Sequence, residues 1–356
     1  MMTTMTEAIE KVIAGKGLEP ETARGAMNEL MSGNASETNI GALLAGLRAK
    51  GESPEEIAAF AEIMRQKSIG LEPDVDHGLV DMCGTGGSSV KTFNISTISA
   101  FPVAGAGYPV AKHGNRSNTS RSGSADLLEA LGVELDSDPD RIEKAIETSG
   151  LGFLYAPRFH PAMKHAAKPR RELGVRTVFN LLGPLTNPAS AERHLMGVYD
   201  PGLVEKFPLV LRKLGVKRAL VVHGEPGIDE ISTAGETYVG ELNHGDISHY
   251  RIHPDDFDLP EVDPEAIGDV APEESARLAL EILNGKTEGP ARDVVLLNSA
   301  AGIYVAGGAK SIAEGIEIAE NALKSGSAYR SLQDLVEATG NPEELSRLEE
   351  KFFGGK

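Results

Sequence analysis

The chain has 356 residues, 40% hydrophobic and 25% charged, with one cysteine, Cys83, and a formal net charge of −18. This composition excludes a disordered chain, an internal disulfide framework and a cysteine-based zinc cluster. The acid surplus argues against nucleic-acid binding, which needs a basic surface. No apolar run approaches the roughly 20 residues that span a bilayer, so no membrane partner is expected. Residues 1–12 lack the basic-then-apolar layout of a signal peptide, which points to a cytoplasmic protein. The excess acid has two readings: solubility, or a halophilic host whose salt screens carboxylate repulsion.

The length exceeds what one compact core usually holds, so two parts are expected. Residues 1–72 read as a small helical domain. Thr4-Met5-Thr6-Glu7 has the pattern of a capping box, followed by an apolar stripe of Ile9, Val12 and Ile13. A second helix spans about Glu21 to Met31, and a third runs from near Ser36 to a stop at Gly51. Ser53-Pro54-Glu55-Glu56 is a strong fourth start: a serine cap, proline at the first helical position and glutamate at the third.

After Pro73 the pattern changes. Leu79 to Cys83 is a short β-like run, and further strands are predicted at 108–111, 152–156, 194–199 and 218–223. Helices are predicted at 124–131, 139–148, 202–214, 272–283 and 310–325, and an antiparallel hairpin over Glu236 to Ile252. Strand–helix alternation implies an α/β fold with a mainly parallel central sheet covered on both faces. Residues 73–356 would form this large domain, and 160–190, with four prolines in His160 to Pro188, would contribute to the helical part near a hinge.

Three clusters carry chemistry. Gly84-Thr85-Gly86-Gly87-Ser88-Ser89 follows a strand, and Asn94 to Ala100 opens a helix. Glycines admit a ligand close to the backbone, and a helix start favours an anion, so the segment reads as a phosphate cradle. Pro102, inside that helix, should kink or end it. The second cluster, Lys112 to Ser120, holds cations, amides and hydroxyls suited to phosphate. It lies in a stretch, Met82 to Ala125, without a single Asp or Glu. About six or seven acids would be expected there at the chain average. The third, Asp229-Glu230, suits Mg²⁺, which prefers oxygen ligands. Alone, each has a bland alternative: a glycine turn, a polar loop, a solvated acid pair.

Together the motifs resemble the anthranilate phosphoribosyltransferase family. They are Gly84 to Ser88, Thr92 to Thr97, Lys112 to Arg116, Gly123 to Asp126, His160 to Lys164, Arg176 to Pro188 and Gly227 to Glu230. The resemblance covers nearly the whole chain. It implies transfer of a phosphoribosyl group from phosphoribosyl pyrophosphate (PRPP) to the amine of anthranilate, in tryptophan biosynthesis. It places PRPP on Gly84, Gly87, Ser88, Thr92, Asn94, Ile95, Ser96, Thr97, Lys112, His113, Gly114, Asn115, Arg116, Ser117, Asn118, Thr119, Ser120 and Ser124. It places anthranilate on Gly84, Asn115 and Arg170, and Mg²⁺, two ions per site, on Ser96, Asp229 and Glu230. It also implies a homodimer formed through the helical domains. No side chain is assigned as a catalytic acid, base or nucleophile.

Three positions depart from the family pattern: Ser88 where it has Asp, Thr119 where it has Ser, and Pro169 where a Val usually precedes the arginine matching Arg170. Ser88 and Pro169 leave open a paralogue with another aromatic or amine acceptor. A pyrimidine nucleoside phosphorylase would need a lysine ahead of its glycine loop, where this chain has Met82-Cys83. A nucleic-acid-binding relative conflicts with the −18 charge.

Overall fold

A computed structural model describes residues 3–117 and 120–354. Four helices open the chain: α1 (Thr4–Ile13), α2 (Pro20–Met31), α3 (Glu37–Lys50) and α4 (Pro54–Gln66). The box predicted at Ser53 and Glu56 is formed. The cap of α1 sits one residue earlier than predicted, because Thr3, not Thr4, accepts from the Thr6 N–H.

The alternating part follows as β1 (Val80–Gly84), α5 (Ile95–Gly105), β2 (Val110–Gly114), α6 (Ser124–Ala130), α7 (Pro139–Ser149) and β3 (Leu151–Tyr155). Next come α8 (Ala156–Phe159), α9 (Lys164–Leu173), α10 (Phe179–Leu182), β4 (Arg193–Gly197), α11 (Gly202–Lys213) and β5 (Arg218–Gly224). The hairpin is β6 (Thr237–Asn243) and β7 (Asp246–Ile252). Five helices close the chain: α12 (Pro272–Leu283), α13 (Pro290–Ala306), α14 (Ile312–Lys324), α15 (Ser327–Thr339) and α16 (Pro342–Phe353).

The seven strands form one sheet in the order β3-β2-β1-β4-β5-β6-β7. Strands β1 to β5 run parallel, and β6 and β7 are antiparallel. Alternate residues serve opposite faces, as the strand pleat requires. Leu195, Leu220 and Val222 join a core with α5 and α12 to α15, while Met196, Ala219 and Val221 join one with α1 to α4 and α11. The second core also takes Ala166, Val178, Phe179, Leu181 and Leu182, so residues 166–182 pack with the N-terminal helices.

Two expectations are corrected. Pro102 does not end α5, which continues to Gly105 with the Ala106 N–H bonded to Pro102 O at 3.0 Å. A proline costs one backbone bond and crowds the preceding turn; here the helix is held by burial along Ile98 to Ala104. Helices α13, α15 and α16 have no predicted counterpart. Helix α13 is buried nearly all round and carries no polar stripe for periodicity to reveal, whereas α15 and α16 are amphipathic and sequence reasoning missed them.

Candidate active site

The strand order reverses between β1 and β4, and such a switch point opens a crevice beyond the C-terminal strand ends. A cleft of about 890 Å³ lies there. Each cluster leaves a parallel strand at that end: the glycine loop from Gly84, the cationic loop from Gly114 and the acid pair beyond Gly224. Gly86 and Gly87 have φ of 65° and 80°, the region that favours glycine.

The acid pair reaches back to the glycine loop. Asp229 Oδ2 accepts from the Gly86 N–H at 2.9 Å, and Oδ1 accepts from the Ser88 hydroxyl. Glu230 Oε1 accepts from the Ser96 N–H at the start of α5, at 3.2 Å. The amides expected to cradle a phosphate therefore hold these carboxylates. Ser88 does not leave the loop without polar function: its hydroxyl fixes the orientation of Asp229.

Desolvation, and then the Asp229 charge, push the Glu230 carboxyl above its ordinary range, while Lys112 opposes the shift. Lys112 is 2% exposed; its Nζ donates to Met82 O and to Ser96 Oγ, the latter at 3.4 Å. Its own pKa is lowered by burial against the charges of Asp81, Cys83 and Glu230. Adjacent carboxylates and a serine hydroxyl make a hard-oxygen donor set, with Lys112 as the neighbouring cation. That set fits Mg²⁺.

The cationic loop is arranged otherwise than expected. The Arg116 guanidinium pairs with Asp126 at 2.9 Å and Glu129 at 2.7 Å, so its charge is spent within the protein. Asp126 also accepts from the Ser117 and Gly123 N–H groups at 3.1 and 2.8 Å. This carboxylate, absent from the predicted site, shapes the loop. Ser124 Oγ donates to Asn115 O and accepts from the Asn115 N–H; it opens α6 but does not cap it, the cap being Gly123. Ser117 and Ser120 hydroxyls lie 2.7 Å apart. Asn118 and Thr119 lie outside the described residues.

His113 faces the cleft with Nδ1 3.1 Å from Gly183 O and its ring edge-on to His160, centroids 5.1 Å apart. Burial first, then His160, lower its pKa to about 3, so it is neutral at pH 7. Gly84, Gly87, Ser88, Thr92, Asn94, Ser96, Thr97, Gly114, Asn115, Asp229 and Glu230 all line the cleft. Asn94 ties α5 to its surroundings, donating to Ser122 O at 3.2 Å and accepting from Ser275 Oγ at 2.7 Å. Ile95 does not line the cleft: it is 1% exposed in the core, and its N–H bonds Phe93 O. Its apolar side chain turns inward because it sits on the buried face of α5.

Arg170 lines the same cleft, with its Cζ 5.0 Å from the Phe179 ring centroid. Pro169 is accommodated inside α9, which continues through Arg170 to Leu173. Sequence reasoning missed Arg176, Tyr199 and Gly197 as site residues. Arg176 and Tyr199 line the cleft, and Gly197 lies against the Asp229 backbone. The one available signal was position: Arg176 opens a family motif, and Gly197 and Tyr199 mark the exit of a parallel strand.

A helical layer over a parallel sheet, with a glycine loop, a buried lysine and an acid pair at the switch point, is the frame of a glycosyl transferase. Residues 6–68 match the glycosyl transferase family's helical bundle domain and residues 76–329 its a/b domain. The anthranilate phosphoribosyltransferase of Haloarcula marismortui is 50% identical over 334 residues, 94% of this chain and 100% of that one. The crystal structure of the Thermus thermophilus enzyme superposes with a TM-score of 0.88 at 46% identity, covering 93% of this chain and 98% of the other. The Saccharomyces cerevisiae enzyme, in complex with PRPP and Mg, gives a TM-score of 0.86 at 29% identity, over 94% and 97% of the two chains. The chain belongs to the anthranilate phosphoribosyltransferase family.

Proposed function

We propose that the cleft transfers the phosphoribosyl group of PRPP to the amine of anthranilate, releasing pyrophosphate, as a step of tryptophan biosynthesis. The observation that carries this reading is the meeting of the glycine loop, the α5 start, Lys112 and the acid pair in one cleft, in a chain of this family.

The C1–oxygen bond to pyrophosphate breaks with its electrons leaving on oxygen, the amine nitrogen bonds C1, and the amine releases a proton. Catalysis is then mainly positioning and charge stabilisation. The glycine loop and the cationic loop hold PRPP, and Lys112 sets a fixed positive charge beneath it. Ser96, Asp229 and Glu230 would hold Mg²⁺, and two ions per cleft belong to this reading. The chemistry Mg²⁺ supplies when bound is neutralisation of the charge on departing pyrophosphate. Arg170, without an ion-pair partner among the described residues, suits the anthranilate carboxylate, with Asn115 and Gly84 beside it. An aryl amine is neutral near pH 7, so no strong base is required.

The division at residue 72, with 160–190 completing the helical part, and a homodimer through that part belong to the same reading. So does a cytoplasmic setting; among the described residues no helix is long and apolar enough to cross a membrane. A salt-rich host fits the −18 charge.

Lys112→Ala and Arg116→Ala separate the two cations. Loss of Lys112 should lower kcat/KM for PRPP by about a hundredfold, the scale of one buried charge-assisted hydrogen bond. Loss of Arg116, which acts through Asp126 and Glu129, should cost about fivefold. The KM for anthranilate should move little in either. Steady-state kinetics with each substrate varied in turn check this; an unchanged KM for PRPP in both variants would refute the loop assignment.

A further inference from the structure

We propose that Arg176 is a further positioning residue for PRPP, reaching from the helical side of the cleft to the phosphate-bearing ligand on the glycine loop. This rests on the reading that the cleft binds PRPP. Helix α9 ends at Gly174 in the left-handed conformation, and Val175, 56% exposed, follows it, so Arg176 emerges at the cleft wall. Its Nη2 donates to Gly87 O at 2.6 Å, and its Cζ stands 4.0 Å from the Tyr199 ring centroid. Tyr199 is tied to the same loop, its N–H donating to Thr85 Oγ1 at 3.0 Å.

Gly87 suits this position through its backbone. Its φ is 80°, and a Cβ at that position would lie 2.8 Å from Arg176 Nη2. The guanidinium approaches the loop backbone closely. Its charge is treated differently from that of Arg116. Among the described residues Arg176 has no carboxylate partner; a carbonyl and an aromatic face hold it, and both leave the charge unneutralised. Among the described residues, four of the five guanidinium N–H donors have no hydrogen-bond partner. A cation fixed by neutral groups at a cleft wall is prepared for an anionic ligand, and a planar fork suits phosphate oxygens.

The placement adds a mechanical consequence. Val178 and Phe179, next along the chain, pack with α1 to α4, whereas Gly87 belongs to the sheet side. Arg176 therefore joins the helical layer to the loop, and a phosphate bound by both would hold the two sides together.

The test compares wild type with Arg176→Ala, Arg176→Gln and Arg176→Lys, using calorimetry with PRPP and with inorganic pyrophosphate, kinetics with both substrates, and thermal melts. The expected result is PRPP affinity weakened by about tenfold to a hundredfold in the Ala and Gln variants, with anthranilate KM within about twofold and Tm unchanged. Lysine should rescue only partly, because an ammonium cannot stack on Tyr199 and bond Gly87 O with one planar group. Unchanged PRPP affinity in a wild-type background that transfers phosphoribose would overturn the role of Arg176 alone. Equal loss for both substrates with a lowered Tm would make the residue structural and overturn it too. A wild type that neither binds nor consumes PRPP would remove the underlying reading, and this inference with it.

Discussion

Changing Asp229 to Asn and Glu230 to Gln together is expected to lower Mg²⁺-dependent transfer by about a thousandfold, roughly 4 kcal/mol of transition-state stabilisation. The expectation rests on where the two carboxylates sit. Asp229 is gripped by the Gly86 N–H and the Ser88 hydroxyl, and Glu230 by the Ser96 N–H. Amides keep the volume. At position 229 the amide carbonyl can serve the Gly86 N–H while its NH2 donates to the Ser88 hydroxyl oxygen, and at 230 the carbonyl can serve the Ser96 N–H, so the fold should survive. What is lost is negative charge. That loss relieves repulsion, since burial and then the Asp229 charge raise the Glu230 pKa. Melting should therefore be unchanged or higher while kcat/KM collapses. Activity within tenfold of wild type at saturating Mg²⁺ would contradict the metal assignment.

Gly197→Ala should be nearly as damaging, through packing. A Cβ at Gly197 would lie 1.6 Å from Asp229 O. Gly197 is the last residue of β4, in register with Gly84 on one side and Val222 on the other. It cannot retreat without breaking the ladder, so the acid-pair loop must move. Overpacking of this kind costs about 2–3 kcal/mol of stability, and displacing a metal-holding carboxylate by about 1 Å costs about a hundredfold in rate. Gly41→Ala is the control: it lies in α3 with nothing within 4 Å of an added Cβ, and alanine favours a helix over glycine. Melts and kinetics on both variants check the contrast. A Gly197→Ala protein with wild-type stability and activity would refute the packing argument.

Much of the architecture was legible because amphipathic elements advertise themselves. Ser53 and Pro54 announced α4, and alternating strands and helices announced a parallel sheet. Helix α13 stayed hidden because burial on all sides erases the stripe that periodicity detects. The site was legible as a set of motifs, and the structure brings nearly all of them to one cleft. Its wiring was not. The sequence shows Arg116 as a cation, but not that Asp126 and Glu129 absorb its charge. It shows two runs, 84–89 and 229–230, but not that one side chain of the second takes an amide and a hydroxyl of the first, the amide across 143 positions. Gly197 looks like any strand-end glycine until the Asp229 backbone is seen against it. Such contacts join residues distant in the chain, and local patterning carries no trace of them.

The most direct test follows anthranilate fluorescence in the purified protein with PRPP and Mg²⁺, at low and high KCl. The expected result is a loss of fluorescence that requires PRPP and stops when a chelator removes the metal. No loss at any salt concentration, with PRPP binding intact by calorimetry, would contradict transfer to anthranilate and direct the search for another acceptor to Ser88 and Pro169.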